Sequence, residues 1–307
     1  MMKWTAANIP DQRGRTAVVT GANSGLGRVV AQELARAGAE VVLACRDTAK
    51  GEAAAAEIVA SAPGARVEVA ELDLAALDSV RRFSERLAQG GRRIDLLVNN
   101  AGVMAAPHGR TVDGFERQLG TNHLGHFALS GRLLPLLRDR AGARLVTVSS
   151  SVHHGGSIDF DDLQGERRYS RWGAYAQSKL ANLLFALELD RRLRSAGWPL
   201  LSVAAHPGYA ATNLQFSGPP LYERAFMHVG NLLFAQSAAR GALPILFAAT
   251  APDLAGGSFA GPDGFLEGRG HPRLVEPSAA ARDEAVARRL WEISERLTGV
   301  AYDFGAG

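Results

Sequence analysis

The chain has 307 residues, 47% hydrophobic and 21% charged, with a formal net charge of only +3. That balance belongs to a globular protein, and basic residues spread along the chain rather than gathered in a run argue against nucleic-acid binding. A single cysteine, Cys45, excludes an intrachain disulfide and makes a reducing, cytoplasmic setting the expectation. The N-terminal stretch "MMKWTAANIPDQRG" has no apolar signal core. No run reaches the about 18 uninterrupted apolar residues of a membrane span. The expectation is a soluble, unprocessed chain without a membrane anchor.

"RTAVVT" is a short β-branched run ending at Thr20, and "GANSGLG" follows it. "RVVAQELARAG" carries apolar residues at helical spacing and stops on Gly38. "EVVLAC" reads as a second strand, with "TAKGEAAAAEIVASA" as a helix behind it. "ARVEVAELDL" and "LDSVRRFSERLAQ" repeat the pair, and "RIDLLVNNAG" is a fourth strand. A long helical tract spans about 115–140. "RLVTVSSS" is a fifth strand, and the helix holding "AYAQSKLANLL", 174–184, follows after a loop. "PLLSVAAHPG" is a sixth strand, and "GSFAG" is short enough for an edge strand. Strands alternating with helices mean βαβ units and a parallel sheet. Runs apolar on both faces mean that helices cover both sides. The fold class expected is α/β: a doubly wound parallel sheet of Rossmann type, three layers, one domain over 1–307.

Two aromatic-rich excursions break this rhythm, near 152–173 and 213–235. Long loops in a compact domain are usually functional or disordered, and both are read as substrate-facing lids. Phe216, Leu221, Tyr222, Phe226, Met227 and Phe234 in the second suggest an apolar pocket wall. Near 279–298, Val286, Leu290, Ile293 and Leu297 have the spacing of a packed C-terminal helix.

Gly21, Gly25 and Gly27 stand directly after a strand and open a helix. Glycine lets a diphosphate approach the backbone closely, and the helix N-terminus offers free N–H groups and a positive dipole end. Asn23 and Ser24 add side-chain donors, and Leu26 lies within the same loop. Where a Rossmann fold prefers NAD, the second strand ends on an acid that binds the ribose 2′-OH. Here that position reads Cys45, followed by Arg46. A guanidinium pairs with a 2′-phosphate that a carboxylate would repel. NADP(H) is therefore expected in preference to NAD(H).

Tyr175 and Lys179 lie four residues apart, on one helical face. Hydride transfer between a nicotinamide and a carbonyl carbon needs a proton donor beside the oxygen. A phenol, with a pKa of about 10, must fall by roughly three units to act both ways near neutrality, or about 4 kcal/mol. An ammonium about 4 Å away supplies about 4 kcal/mol at an effective dielectric of 20. The pair is therefore read as an acid and the group that tunes it. The serines at the fifth strand's end, Ser149, Ser150 and Ser151, compete to hold the substrate oxygen. A one-residue slip there would turn the side chain away.

The spacing G-x-x-x-G-x-G resembles that of the short-chain dehydrogenase/reductase family, and the resemblance runs from about residue 14 to about residue 261. It implies that Asp73 and Leu74 of "LDL" meet the adenine end. It implies also that Asn100, Ala101 and Gly102 of "NNAG" close over the cofactor. The family's catalytic serine is the second of a V-S-S pattern, which is Ser150. With it the resemblance implies Tyr175, Lys179 and, from "TNHLGHF", Asn122 as the catalytic set; the Asn holds a water linking the lysine to solvent. Pro207, Gly208 and Thr212 of "HPGYAAT" match a further cofactor segment.

"ACRDTAKGEAA" and "DDLQGERRYSRWGAYAQSKLANLLFALEL" resemble the retinol dehydrogenase and protochlorophyllide reductase branch. The function implied is NADP(H)-dependent interconversion of a carbonyl and an alcohol on an apolar small molecule, with reduction as the working direction. The alternative from another class is an NADP(H)-binding redox sensor without turnover, which needs the phosphate loop but not the Tyr–Lys pair. A sugar-nucleotide epimerase fits less well, since those relatives have another glycine spacing. A homodimer or homotetramer is what the family implies. His153 and His154, or His123 and His126, make a poor ligand set without an acidic cluster, so no metal is expected. His206 is read as structural or as a wall of the cofactor site.

Overall fold

In the computed structural model, which describes residues 3–209 and 236–305, eight strands form one sheet in the order β3-β2-β1-β4-β5-β6-β7-β8. The strands are β1 Thr16–Thr20, β2 Glu40–Cys45, β3 Arg66–Glu71, β4 Leu96–Asn99, β5 Arg144–Val148, β6 Leu201–Ala205, β7 Phe259–Pro262 and β8 Pro272–Leu274. The helices are α1 Gly25–Arg36, α2 Thr48–Ser61, α3 Leu77–Gln89, the single turn α4 Arg117–Leu119, α5 Gly125–Leu137, α6 Arg171–Ser195, α7 Ala238–Thr250 and α8 Glu284–Thr298. Pairing is parallel from β3 through β7. The strand order reverses between β1 and β4, and at such a switch point the loops beyond the strand ends part into a crevice.

The sheet is apolar on both faces because a separate core packs on each. On one face Val30 and Leu34 of α1, Ile58 of α2 and Ile245 of α7 cover Ala17, Val19 and Val41. On the other, Phe83 of α3, Phe127 of α5, Phe185 of α6 and Trp291 of α8 cover Val18, Leu97 and Leu145. This is the three-layer, doubly wound Rossmann-type fold in a single domain.

Several expectations need correction. The two-sided apolar pattern fails at β3, where Arg66, Glu68 and Glu71 are exposed. The strand lies at the sheet edge and is covered mainly by α2. "GSFAG" forms β7 but is not the edge, because the antiparallel β8 pairs outside it. Three residues beginning with proline carry no alternation to announce β8. The tract at 115–140 is not one α-helix: after α4 the chain makes a π-helical segment, Gly120–Leu124, before α5. The C-terminal helix begins later than 279, at Glu284, where Asp283 caps it by accepting from Val286 N at 3.0 Å. The second excursion, 213–235, lies outside the described residues.

Candidate active site

The crevice begins at Thr20, the buried last residue of β1. Its hydroxyl oxygen accepts from Asn100 N at 2.9 Å and Ala101 N at 3.0 Å, and Asn100 Nδ2 donates to Thr20 O at 2.8 Å. Gly21 has φ +65°, and a Cβ there would stand 3.0 Å from the Cα and Cβ of Ala101. A Cβ on Gly27 would stand 2.5 Å from Asn100 Nδ2. The two motifs "GANSGLG" and "NNAG" are thus one packed unit, closed only because glycines leave room. Ser24 holds the N-cap position of α1, its side chain makes no cap hydrogen bond, and the helix's first turn carries no acid. The N–H groups of Gly25, Leu26 and Gly27 fall within the turn whose donors have no intrahelical partner, the arrangement that binds anions.

A cleft of about 240 Å³ opens beside this unit. Of the residues singled out in the sequence, Gly21, Asn23, Arg46, Asp73, Leu74, Ala101 and Gly102 line it. Lys50 and Thr121 line it too and were not foreseen. Lys50 lies in the first turn of α2, just after Arg46 and the cap Asp47, and a second basic residue so near the end of β2 could have flagged it. Asp47 caps α2 by accepting from Lys50 N at 3.0 Å and pairs with Lys50 Nζ at 2.7 Å. Burial pushes the Cys45 thiol up to about 11, so it remains a neutral wall. Pro207 and Gly208 follow β6 at the far end of the crevice. Gly208 has φ +67°, and a Cβ there would meet the Gly268 carbonyl oxygen at 2.6 Å. Thr212 lies outside the described residues.

At the end of β5 the serines divide. Ser149 turns inward, and its hydroxyl donates to Lys179 O at 2.7 Å. The Ser150 hydroxyl lies close enough to the Tyr175 phenol to favour its ionised form. Ser151 begins the 3₁₀ turn that Ser150 caps. The pleat has separated the three competitors, and only Ser150 joins the phenol.

Tyr175 and Lys179 are both buried in α6. Lys179 Nζ lies 5.8 Å from the Tyr175 ring centroid and donates to Val148 O at 3.1 Å. The lowered phenol pKa expected from the pair does not hold for the protein by itself. Burial pushes Tyr175 up to about 12, against the opposing influence of the nearby Ser150 hydroxyl. Burial also pushes Lys179 down to about 8. Two charges taken from water lose more than a contact of this length returns.

Asn122 is fully buried in the π segment. Its Oδ1 accepts from Val103 N at 2.7 Å, and its Nδ2 donates to Val103 O at 2.9 Å and to Ser178 Oγ at 2.9 Å. A Cβ on Gly102 would stand 3.0 Å from Asn122 Oδ1 and 3.6 Å from Lys179 Nζ. The four residues Asn122, Ser150, Tyr175 and Lys179 therefore gather around the strand ends at Gly102 and Val148.

The first excursion is a braced shelf. The Tyr169 hydroxyl donates to Ala106 O at 2.8 Å, Gln118 Nε2 donates to that hydroxyl at 3.0 Å, and Glu116 N donates to Gln164 Oε1 at 2.6 Å. Trp172, 43% exposed, stands edge-on to Tyr175 with ring centroids 6.1 Å apart. The histidines serve as neutral structural groups: burial pushes His123 and His206 down to about 3, and His126 and His153 to about 4. Among the described residues no group of three or more His, Cys, Asp or Glu is placed to hold a metal ion. Nor is any helix among them long and apolar enough to cross a membrane.

The short chain dehydrogenase family profile matches residues 15–218. The chain is 43% identical to retinol dehydrogenase 14 of Mus musculus over 300 residues, 94% of this chain and 86% of that protein. It is equally 43% identical to retinol dehydrogenase 13 of Homo sapiens, over 96% of this chain and 86% of the relative. Polyprenol dehydrogenase of Mus musculus matches at 43% over 95% and 86%. A solved structure of an uncharacterized protein from Mycobacterium Paratuberculosis superposes with a TM-score of 0.82 at 49% identity, over 98% of this chain and all of that one. A short chain dehydrogenase from Escherichia coli CFT073 complexed with NADPH superposes with a TM-score of 0.62 at 26% identity, over 81% and 96%. With that evidence beside the crevice geometry, the chain belongs to the short chain dehydrogenase family, in its retinol dehydrogenase branch, and is an alcohol/carbonyl oxidoreductase.

Proposed function

We propose that the protein uses NADPH to reduce the carbonyl of an apolar small molecule, with Tyr175 as the acid. The observation that carries this is the grouping of the buried Tyr175, Lys179 and Asn122 around Gly102 and the end of β5, with Lys179 Nζ 5.8 Å from the Tyr175 ring centroid and Ser150 beside the phenol. The glycine cradle and the free first turn of α1 fit a dinucleotide diphosphate, and Arg46 with Lys50 fits a 2′-phosphate. The neighbour complexed with NADPH supports the same choice. When bound, the reduced nicotinamide supplies hydride to the carbonyl carbon.

Ser150 holds the carbonyl oxygen by hydrogen bond, and Tyr175 passes its phenolic proton to that oxygen, giving the alcohol. Lys179 stabilises the phenolate that remains, and Asn122 fixes the loop at Val103 and, through Ser178, the turn of α6 between the two. A phenol protonated at neutral pH is the form that reduction requires. Relatives named for retinol and for polyprenol, both apolar alcohols, support an apolar substrate, and the shelf at 152–173 with Trp172 flanks its entry. A sensor without turnover would need the cradle but not this grouping. A cytoplasmic location and a homodimer or homotetramer complete the reading.

The test is a panel of apolar aldehydes and ketones with NADPH, followed by loss of the reduced cofactor's absorbance. Wild type should turn over at least one of them, and Tyr175→Phe should abolish that turnover. Unchanged turnover in the variant would remove Tyr175 from the chemistry.

A further inference from the structure

Asn182 is buried in α6, about one turn beyond Lys179, and its Nδ2 donates to Val148 O at 3.1 Å. Lys179 Nζ donates to that same oxygen, also at 3.1 Å. We propose that Asn182 is a positioning residue, which sets the seat of the Lys179 ammonium and the approach of β5, which leads into Ser150, to the helix that carries Tyr175. This role rests on the proposed activity.

The reason lies in how the sheet ends. In a parallel ladder the backbone groups of a strand face its two neighbours alternately. Toward β6 the end of β5 is held by the sheet, since Ser149 N donates to Ala205 O at 2.8 Å. Toward β4 the pairing stops at Asn99 and Thr147. The chain after β4 turns to another partner, Ala101 N donating to Thr20 Oγ1 at 3.0 Å. Val148 O, on that open side, is taken by α6 instead. A carbonyl oxygen has two lone pairs, which match the two donors, Lys179 and Asn182.

Three side-chain bonds thus join strand end and helix, the third being Ser149 Oγ to Lys179 O at 2.7 Å. Two of the three run through Lys179. Asn182 supplies the one that leaves Lys179 out, so it holds Val148 O in place whatever the ammonium does. It also shares the oxygen, which limits the hold of Val148 on the ammonium. The remaining ammonium protons are left for the crevice, where Gly102 and the Tyr175 ring lie. A leucine at this position would pack as the buried Leu183 and Leu184 do, without the cost of burying an amide. What the amide adds is the bond to Val148 O. It is backed by α8: the amide lies beside the His123 imidazole, whose Nε2 donates to Ser294 Oγ at 2.9 Å. Ser294 Oγ gives its own proton to Leu290 O at 2.8 Å, which makes it the acceptor from His123.

The test is steady-state reduction of one carbonyl from the NADPH panel by wild type, Asn182→Leu, Asn182→Asp, Lys179→Met and Leu183→Ala, with a thermal melt of each. Leu183→Ala removes packing in the same turn of α6, keeps both bonds to Val148 O, and shows what destabilisation alone does. Asn182→Leu should lower kcat about tenfold or more with KM little changed, as misplacement beside reacting groups requires. Leu183→Ala should keep kcat close to wild type even where its melt is the lower of the two. Asn182→Asp loses the bond and sets a carboxylate beside the ammonium, so the alkaline fall in kcat near about pH 8 should move up by about one unit or more. The ionisable groups around Lys179 are Tyr175, His123 and His126, held at about 12, 3 and 4, so none of them titrates in that range.

A wild-type kcat in Asn182→Leu would overturn the role. So would equal kcat losses in Asn182→Leu and Leu183→Ala, or an alkaline fall in Asn182→Asp at the wild-type pH. If Asn182→Leu does not fold, the profile of Asn182→Asp decides. A wild type that reduces no carbonyl, or a wild-type kcat in Lys179→Met, would overturn the proposed activity and this role with it. A slow Lys179→Met beside an unimpaired Asn182→Leu would overturn this role alone.

Discussion

His126 donates through Nδ1 to the main-chain carbonyl of Asn122 at 2.9 Å. Its other nitrogen then has a lone pair for the Thr20 hydroxyl, also 2.9 Å away. Thr20 in turn holds Asn100 and Ala101. One neutral imidazole thus ties the end of β1, the loop after β4 and the π segment into a single bonded group.

His126→Phe would leave the Thr20 hydroxyl and the Asn122 carbonyl short of a partner, each at a cost of about 1–3 kcal/mol. We expect lower stability in urea unfolding and a kcat reduced more than that of an equally destabilised core variant. His126→Gln keeps one donor and one acceptor and should recover part of both losses. A wild-type kcat in His126→Phe would show that the link does not reach the site.

Arg46 and Lys50 line the cleft together, and Lys50 is the one in a close ion pair with Asp47, at 2.7 Å, while Arg46 feels that carboxylate more weakly. Arg46 should therefore supply most of the discrimination for a 2′-phosphate. In cofactor titration wild type should hold NADPH more tightly than NADH. Arg46→Ala should weaken NADPH roughly tenfold or more and leave NADH nearly unchanged, as loss of a charge-assisted bond requires. Lys50→Ala should act in the same sense with a smaller factor. Equal wild-type affinities would refute the cofactor choice.

Gly102 faces two members of the candidate set, so its missing Cβ is a positional requirement. Gly102→Ala would push Asn122 Oδ1 by a few tenths of an ångström and crowd Lys179 Nζ. The stability cost should be modest, about 1–3 kcal/mol for an extra methyl in a packed site. Misplacement near reacting groups costs more in rate, up to about hundredfold for 1 Å, so a kcat loss of about tenfold is expected. Steady-state kinetics beside a thermal melt separates the two effects, and a melt shift without a rate loss would count against the arrangement.

Strand–helix alternation and the glycine spacing made β1 to β6 legible, because those strands, the edge strand β3 apart, are buried on both faces and largely apolar. β8 was not legible, since three residues starting at Pro272 have no period. α7 escaped as well, its apolar run broken by Pro244. Within the site, the choice among Ser149, Ser150 and Ser151 needed coordinates, because only the pleat decides which hydroxyl faces Tyr175. Thr20 and His126 act through bonds between segments 106 residues apart, a distance that no local pattern spans. The direction of the Tyr175 shift was misjudged because spacing along a helix reports that two side chains share a face. It reports neither how deeply they are buried nor that Lys179 reaches for the Val148 carbonyl.

That burial sets the pH dependence. Tyr175 stays protonated to about 12 and Lys179 loses its proton near about 8. In the direction of reduction the acid form of Tyr175 is present across the neutral range, so the first group to titrate on the alkaline side is Lys179. Below about pH 8 its ammonium stabilises the phenolate as it forms; above that pH the charge is lost and the proton transfer becomes harder. The kcat for carbonyl reduction should therefore be flat from about neutrality to about pH 8 and fall above it. Lys179→Arg keeps its charge far beyond pH 8 and should remove the fall, though at a lower plateau because a guanidinium is bulkier. Lys179→Met should give a low rate without the inflection. A kcat profile for Lys179→Arg that still breaks near pH 8 would assign the titration to another group.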